Sequence, residues 1–470
     1  MEKISEDLLL IDKLVEKAQI AQQKYESNGS QKKFDTASQA VAWALMEPTN
    51  NRLLSELAVS ETGLGNVEDK VIKNHNKTLG LMRDLQQQKT FGHISDEPSK
   101  GLSTYLRPKG VIAAVIPSTN PVATPANNII NSIKTGNAII LAPSPKGAKP
   151  LSELLEKIYL QFNKIGMDTN LIQMIPNPPS KLKTERLMQL ADLVIVTGSR
   201  SNVHAGYSSG TPAIGVGVGN VVTIVDETAD IKDASEKIAK SKIFDNATSC
   251  SSENSIVAVE GVYKELIESL SKEGGMLLNS KQTALLEQTH WQKGKMTSTL
   301  LSKDMPRILS ELNLEESAPT GCKFLIVPQS KTGPDHPLSG EKMALFISIY
   351  KVDDFKSALD KAIEIQSYQG AGHSIGIHTS QDRRSHRIAL LAKTCRIIVN
   401  QAHCFATGGF FNNGSPFSLS MGCGSWGGNS IDDNLNWEHF VNRVKIVRII
   451  PQNKPKLSEI FSDYWKIYGK

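Results

Sequence analysis

From Gly110 onward, short apolar runs alternate with longer amphipathic segments, and this alternation constrains the fold more than any other feature of the chain. Val111–Ile116 is predicted to be a buried strand, followed by a helix over 125–134 and a second strand over 138–141. Such alternation is typical of a parallel, doubly wound sheet covered by helices. A second series begins after Asp226. The predicted fold class is therefore α/β, with two doubly wound parallel-sheet domains.

Three segments lie outside this alternation. The segment before residue 90 is mostly helical by its apolar periodicity, and the next stretch predicts two strands around a turn. Near the end, 444–450 is predicted to be an exposed strand that needs a partner. The predicted division is a first domain of 1–89 and 108–225, a second domain of 226–407, and a separate β element of 90–107 with 431–470.

Composition argues against several classes of function. The 53 Lys and Arg residues against 48 Asp and Glu give a net charge of only +5 over 470 residues, without a basic tract, so a nucleic-acid partner is not favoured. No run approaches the roughly 20 apolar residues of a membrane helix. The five cysteines are widely spaced without a CxxC pair, and the N-terminus has no signal-peptide pattern. We expect a cytoplasmic protein without membrane or metal partners.

Cys250 stands in a polar stretch between a predicted helix and the buried strand 255–259. A cysteine held between two rigid elements can be both accessible and supported, although a lone cysteine is more often a small core residue. Asn120 follows the first strand of the sheet, where ligands of open α/β sheets bind. Asn120 alone could equally be a turn residue.

Two further segments follow strands in the same way. Val196-Thr-Gly198-Ser-Arg200 leads from a strand into a helix, as a dinucleotide-binding turn does, but its single glycine is weak support. Gly215-Val-Gly217-Val-Gly219 would let backbone approach a cofactor closely, although it is not a GxGxxG motif. Each segment is ambiguous by itself.

Taken together and in order, these segments resemble the coenzyme A-acylating branch of the aldehyde dehydrogenase superfamily over essentially the whole chain. The most specific matches are Pro117-Ser-Thr-Asn120-Pro121, Tyr207-Ser-Ser-Gly-Thr-Pro-Ala-Ile-Gly-Val-Gly-Val-Gly-Asn220, Phe244-Asp-Asn with Cys250, Gly370-Ala-Gly-His373 and Met421-Gly-Cys-Gly-Ser-Trp-Gly-Gly-Asn429. The resemblance implies a first domain that binds the nicotinamide cofactor, a second domain that carries the thiol, a glycine-rich active-site segment over 408–430, and a homodimer or homotetramer built by the β element.

The resemblance also implies residue roles. Cys250 would be the nucleophile, with the Asn120 amide and the Cys250 N–H as donors to the oxyanion. Glu341 would hold the nicotinamide ribose, although it could also be a solvated surface residue. For His373, a position near the active-site mouth and a structural role are equally open. The implied cofactor-binding residues are Ser118, Thr119, Ser144, Lys146, Thr197, Gly198, Ser199, Arg200, Gly217 and Glu341.

One absence indicates the acyl acceptor. Hydrolytic members of the superfamily carry a glutamate in a Glu-Leu-Gly-Gly motif, and the corresponding stretch here, 215–219, has no carboxylate. General base catalysis is worth roughly 10²–10⁴-fold, so attack by water on the thioester should be slow. A thiol acceptor needs less help, because its thiolate is a strong nucleophile. The acylating branch implies coenzyme A.

Cofactor and substrate preferences can be narrowed further. Ser144, Lys146 and Arg200 would accommodate a 2′-phosphate, which favours NADP over NAD. Thr248, His403 and Ser415 are the predicted substrate contacts, and polar donors there suit an anionic aldehyde. The sequence is most similar to sulfoacetaldehyde enzymes of the branch. Succinate semialdehyde and short-chain aldehydes stay open as substrates, as do a catalytically inert superfamily member and a thiol-redox protein.

Overall fold

The computed structural model describes residues 6–292 and 295–470, so residues 1–5 of the predicted first domain lie outside it. Four helices form the N-terminal segment, as predicted. Ile11, Val15 and Ala18 of the first helix recur at helical spacing and are buried. The helices are α1 (Glu6–Ser27), α2 (Gln31–Met46), α3 (Pro48–Thr62) and α4 (Val67–Leu85).

The first sheet has five strands. They are β3 (Val111–Ile116), β4 (Ala138–Pro143), β5 (Ile172–Met174), β6 (Leu193–Thr197) and β7 (Ala213–Val216). Their spatial order is β5-β4-β3-β6-β7, and all neighbouring strands are parallel. Every residue of β3 and β4 is buried, as expected for central strands of a covered parallel sheet. The associated helices are α5 (Ala123–Lys134), α6 (Ala148–Lys164), α7 (Lys181–Leu190) and α8 (Arg200–Tyr207).

The second sheet has seven parallel strands in the order β10-β13-β14-β9-β8-β15-β16. They are β8 (Val221–Val225), β9 (Glu253–Val259), β10 (Gly275–Leu277), β13 (Phe324–Gln329), β14 (Phe346–Val352), β15 (Ile375–His378) and β16 (Ile397–Val399). Its helices are α9 (Ile231–Ile243), α10 (Glu260–Lys272), α11 (Ser280–His290), α12 (Met305–Glu311), α13 (Phe355–Tyr368), α14 (Asp382–Leu391) and α15 (His403–Ala406). Two short strands, β11 (Trp291–Gln292) and β12 (Lys295–Met296), form a separate antiparallel pair.

The position of β8 corrects the predicted domain boundary at residue 225. This strand lies between β9 and β15 of the second sheet, whereas β7 forms the edge of the first sheet. The run 221–225 is completely buried, because strands pair with it on both sides. The chain therefore passes from one sheet to the other over 217–220, before β8 rather than after it.

A third, antiparallel sheet contains β1 (Gly92–Glu97), β2 (Leu102–Pro108) and β17 (Val441–Val447), with β2 in the centre. The predicted need of the C-terminal strand for a partner is confirmed, although the strand begins at Val441 rather than at residue 444. The last helix, α16 (Leu457–Tyr468), follows and has no buried residue.

All five cysteines are free thiols. Within residues 6–292 and 295–470, no helix combines the length and the apolar character needed to cross a membrane. In the same residues, no group of three or more His, Cys, Asp or Glu side chains is arranged to hold a metal ion.

Candidate active site

A cavity of about 650 Å³ lies where strands of the first sheet end. Its walls include the residues that follow β3, β4 and β6, the usual place for ligands of an open α/β sheet. The second domain completes the walls. The predicted site residues that line this main cavity are Cys250, Asn120, Thr248, Ser118, Thr119, Ser144, Thr197, Gly198, Ser199, Gly217 and Glu341.

Cys250 is presented by an unusual turn. Asp245 (φ 50°), Asn246 (φ 50°) and Ala247 (φ 58°) are three consecutive left-handed residues between α9 and β9. A residue other than glycine in this conformation raises the free energy of the folded chain by roughly 1–2 kcal/mol, so the surrounding contacts must stabilise the turn. The turn places the thiol at the wall of the main cavity.

Gly219 allows a close backbone approach to Cys250. A Cβ atom at position 219 would lie 2.1 Å from the carbonyl oxygen of Cys250, which no side chain can tolerate. Two residues earlier, Gly217 lines the cavity and its N–H donates to Asn429 Oδ1 (3.0 Å). The glycine-spaced run therefore packs directly against the segment that carries the nucleophile.

Asp245 is fully buried and holds the turn to helix α4. Its carboxylate accepts hydrogen bonds from Lys70 Nζ (3.0 Å), Thr248 Oγ1 (2.6 Å), Asn66 N (3.0 Å) and Lys73 Nζ. Burial alone would raise the pKa of Asp245, but the charges of Lys73 and Lys70 bring this pKa below its ordinary value. Burial and the like charge of Lys73 lower the pKa of Lys70 to about 8. The carboxylate therefore stays ionised.

Lys73 also fixes the Asn120 side chain. Its ammonium donates to Asn120 Oδ1 (2.9 Å) and to Thr248 Oγ1 (3.1 Å). Because an ammonium has only donors, it holds the oxygen end of the amide and leaves the NH₂ group for a ligand. Sequence reasoning missed Lys73. The available signal was the lysine spacing on α4, where Lys70, Lys73 and Lys77 share one helix face.

The thiol of Cys250 is protonated in the resting site. Burial raises its pKa to about 12, and the charges of Glu341 and Cys423 contribute to this shift. Burial also raises the pKa of Glu341 to about 8, opposed by a hydrogen bond from the Gly219 N–H. The thiol must lose its proton before it can attack a carbonyl carbon.

His403 and His373 lie in the interior rather than at the cavity. His403 Nε2 and His373 Nδ1 are each 2.8 Å from Ser374 Oγ. Burial lowers the pKa of His373 to about 3 and that of His403 well below its ordinary value, so both rings are neutral. The substrate contact predicted for His403 is corrected, because its ring faces β15 at Gly376 instead of the cavity.

Three other predicted residues also lie outside the main cavity. Ser415 is on a partly exposed loop, and Lys146 is exposed to solvent. Arg200 lines an adjoining groove that shares Gly217 with the cavity. Lys181, at the start of α7, lines the main cavity instead and was missed in the sequence.

A second cavity of about 40 Å³ adjoins the main one, because Asn120 and Leu419 line both. We call it the tail cavity. Its walls combine phenylalanine rings with the polar side chains of Asn76, Lys77 and Ser249. These residues come from α4, from the segment before Cys250 and from the loop after α15, so their meeting could not be seen in the sequence.

The acidic content of the main cavity is low. Among the described residues that line it, Glu341 is the only Asp or Glu. Gly217 and Val218 line this cavity, and they belong to the stretch 215–219 that, by the resemblance found in the sequence, corresponds to the glutamate motif of hydrolytic members. No second carboxylate therefore stands beside Cys250 in the described part of this wall.

The far end of the main cavity fits a dinucleotide. Ser144, Ser180, Lys181 and Ser199 provide hydroxyl groups and one ammonium there, without a carboxylate among the described lining residues. The buried hydroxyl of Ser144 has no hydrogen-bond partner within residues 6–292 and 295–470. Hydroxyls, backbone N–H groups and a cation are the donors that phosphate oxygens need.

Comparison with known proteins identifies the family. The model of the aldehyde dehydrogenase family matches residues 7–415. The acylating sulfoacetaldehyde dehydrogenase of Cupriavidus necator is 46% identical over 97% of this chain and 92% of its own length. The crystal structure of an acetylating aldehyde dehydrogenase from Geobacillus thermoglucosidasius matches with a TM-score of 0.91 at 29% identity, covering 97% of this chain and 100% of that chain.

A Rhodopseudomonas palustris propionaldehyde dehydrogenase with bound propionyl-CoA matches with a TM-score of 0.82 at 26% identity, over 93% of this chain and 94% of that chain. The chain therefore belongs to the aldehyde dehydrogenase family. Both the resemblance found in the sequence and the predicted fold class are confirmed.

Proposed function

We propose that this chain is an NAD(P)⁺-dependent, coenzyme A-acylating aldehyde dehydrogenase whose substrate is sulfoacetaldehyde. The observation that carries this proposal is that Cys250 and the oriented Asn120 amide line one cavity, together with a glycine in place of a deacylating carboxylate. The similarity to the Cupriavidus necator enzyme over nearly the whole chain supports the choice of aldehyde.

In the first half-reaction, the Cys250 thiol gives its proton to solvent and the sulfur adds to the aldehyde carbon. The Asn120 Nδ2 group and the Cys250 N–H donate to the alkoxide oxygen that forms, an arrangement typically worth 10²–10³-fold in rate per donor. When bound, the nicotinamide supplies the acceptor for the hydride that leaves this carbon. An acyl thioester on Cys250 remains.

In the second half-reaction, the coenzyme A thiol gives its proton to solvent and its sulfur attacks the thioester carbon. Cys250 leaves as the thiolate and takes up a proton. The products are acyl-coenzyme A and the free enzyme. Water would need a general base worth roughly 10²–10⁴-fold, and the Gly217 segment provides none. The overall reaction is therefore aldehyde, coenzyme A and NAD(P)⁺ to acyl-coenzyme A, NAD(P)H and a proton.

We place the adenosine half of the cofactor at the far end of the main cavity. Ser144 and Lys181 would hold a 2′-phosphate there. The exposed Lys146, two residues after Ser144, would add a second positive charge beside it. The absence of an acidic side chain among the described lining residues of this end favours NADP over NAD. Ser118, Thr119 and the turn at Gly198 would hold the pyrophosphate, with Glu341 at the nicotinamide ribose.

The assignment of regions follows from this placement. Residues 6–89 and 108–220 would form the cofactor-binding domain, the second sheet with its helices would carry the thiol, and 408–430 would close the active site. We further propose a homodimer or homotetramer that uses β17 and α16. The free thiols are consistent with a cytoplasmic location.

The test is an assay of purified protein with sulfoacetaldehyde, succinate semialdehyde and propionaldehyde, each with NAD⁺ or NADP⁺ and with or without coenzyme A. We expect sustained formation of reduced cofactor only when coenzyme A is present, because without it the reaction stops after one equivalent per Cys250. We also expect the highest kcat/KM with sulfoacetaldehyde and no turnover by Cys250→Ala. Sustained turnover without any thiol acceptor would contradict the acylating reaction. A wild type as inactive as Cys250→Ala would favour an inert family member.

A further inference from the structure

In the described part of the chain, no acidic side chain balances the charge of Lys77. Its ammonium donates to the carbonyl oxygens of Gly408 (2.8 Å) and Gly409 (2.9 Å), with a longer contact to the Phe405 carbonyl (3.5 Å). Carbonyl oxygens satisfy its donors but carry no net charge. Across residues 6–292 and 295–470, no carboxylate lies within ion-pair distance of Lys77.

The other lysines on this helix face differ in this respect. Lys70 and Lys73 both pair with the Asp245 carboxylate. The three N–H groups of the Lys73 ammonium are all used, because they donate to Asp245, Asn120 and Thr248. Burial lowers the pKa of Lys77 to about 8, which leaves it mostly protonated at pH 7. A partly buried cation without a counter-charge is costly, so an anion beside it would be stabilising.

The tail cavity offers the space and the donors for such an anion. Lys77, Asn76 and Ser249 line it, and Lys77 Nζ lies 5.4 Å from the centre of the Phe417 ring in its wall. Asn76 makes no side-chain hydrogen bond within the described chain, and the Ser249 hydroxyl, which accepts from Ser251 N (3.2 Å), keeps its proton to donate.

The position and size of the tail cavity restrict what can enter it. Ser249 directly precedes Cys250, and Asn120 lines both cavities. A substrate group bound in the tail cavity is therefore joined by a very short chain of atoms to the aldehyde carbon that Cys250 attacks. A cavity of about 40 Å³ holds about three water molecules, given the ~10–15 Å³ needed for each. A compact anionic head group fits this space, whereas a long acyl chain does not.

We propose that Lys77, Asn76 and Ser249 bind the anionic end of the aldehyde in the tail cavity and thereby select a short sulfonated or carboxylated substrate. This inference rests on the proposed function. Lys77 supplies the positive charge, and the N–H that donates to the Phe405 carbonyl (3.5 Å) donates to the anion instead. The Asn76 amide and the Ser249 hydroxyl also donate hydrogen bonds to the anion. The carbonyl carbon then lies between Cys250 and the Asn120 amide.

The test compares kcat/KM for sulfoacetaldehyde and for propionaldehyde, which lacks the charge, in Lys77→Met. Removing one member of a desolvated charge pair should lower kcat/KM on the order of 10²-fold for sulfoacetaldehyde and leave propionaldehyde within about threefold. Lys240→Met is the matched control, because this exposed lysine approaches the outer side of the Phe405 ring (5.6 Å) without lining the cavity. It should change neither value.

Because Lys77 also anchors the loop after α15, Asn76→Asp provides a second variant that keeps this anchor. A carboxylate at residue 76 should repel the anionic aldehyde and lower its kcat/KM at least tenfold, again with propionaldehyde preserved. Equal losses for both aldehydes in both variants would overturn the proposal. A wild type that acylates coenzyme A only from uncharged aldehydes would also overturn it, whereas failure with every aldehyde would instead refute the proposed function.

Discussion

Lys73 Nζ donates to Asn120 Oδ1 at 2.9 Å, which ties helix α4 to the amide that faces the main cavity. We therefore predict that Lys73→Met lowers kcat/KM for the aldehyde on the order of 10²-fold. Without the ammonium, the amide can rotate and present its oxygen to the alkoxide, which cancels the donor. Pre-steady-state formation of NAD(P)H measures the affected step directly.

A double-variant cycle separates this positioning role from a general loss of structure. Lys73→Met combined with Asn120→Ala should be scarcely slower than Asn120→Ala alone, because the two residues act as one unit. Lys70→Met is the matched control, since Lys70 shares Asp245 but donates to the Thr119 carbonyl (3.4 Å) rather than to Asn120. Additive losses in the double variant would contradict the positioning role.

The raised pKa of Cys250 makes its reactivity dependent on pH. Because the pKa of about 12 lies well above neutrality, the thiolate fraction is small at pH 7 and increases about tenfold for each pH unit until the pKa is reached. Alkylation by iodoacetamide should therefore accelerate without a plateau between pH 7 and 9.5. Mass spectrometry of the Cys250 peptide reports the rate, with Cys250→Ala as the blank. A plateau anywhere below pH 9.5 would contradict the prediction.

Both parallel sheets, and the meeting of Cys250 and Asn120 at one cavity, could be predicted from the sequence, because each depends on local pattern or on a motif. Strand β8 was assigned to the wrong sheet, since an apolar run such as 221–225 suits a central position in either sheet. His403 was misplaced because a polar residue after a strand can point outward or inward. Only the tertiary contacts that bring its ring to Gly376 and Ser374 decide between the two directions.

Lys73 and Lys77 show the other limit of sequence reasoning. Their spacing on α4 is visible, but charged residues on one helix face are ordinarily solvated. Only the tertiary fold places residue 245 against Lys73 and residues 408–409 against Lys77, across more than one hundred positions of chain. Contacts between residues so far apart in the chain cannot be predicted from the local periodicity of apolar and charged residues.

The close approach of Gly219 to Cys250 predicts a strong effect of a small substitution. Gly219→Ala would place its Cβ 2.1 Å from the Cys250 carbonyl oxygen, so one of the two segments must move and displace the thiol from Asn120. We expect kcat to decrease at least 10²-fold. Gly261→Ala is the matched control, because the nearest heavy atom there is 4.0 Å away. An unchanged kcat in Gly219→Ala would show that the contact is not needed to position the thiol.

The free edge of β17 and the adjacent α16 predict self-association. Val447 and Ile449 are strongly exposed, and α16 presents Ile460 and Ile467 to solvent without a partner in residues 6–292 and 295–470. An edge strand followed by an uncovered apolar helix is stable against aggregation only when another surface covers it. Sedimentation velocity should therefore give a dimer or tetramer mass for the wild type.

A lysine on each element, Ile446→Lys on β17, where Ile446 is 41% exposed, with Ile460→Lys on α16, should shift that mass toward the monomer, because association would bury two unpaired charges. Leu390→Lys is the matched control, since Leu390 is 85% exposed on α14, far in sequence from this surface. It should leave the mass unchanged. If the wild type sediments as a monomer, or if Leu390→Lys dissociates it equally, β17 and α16 do not form the interface.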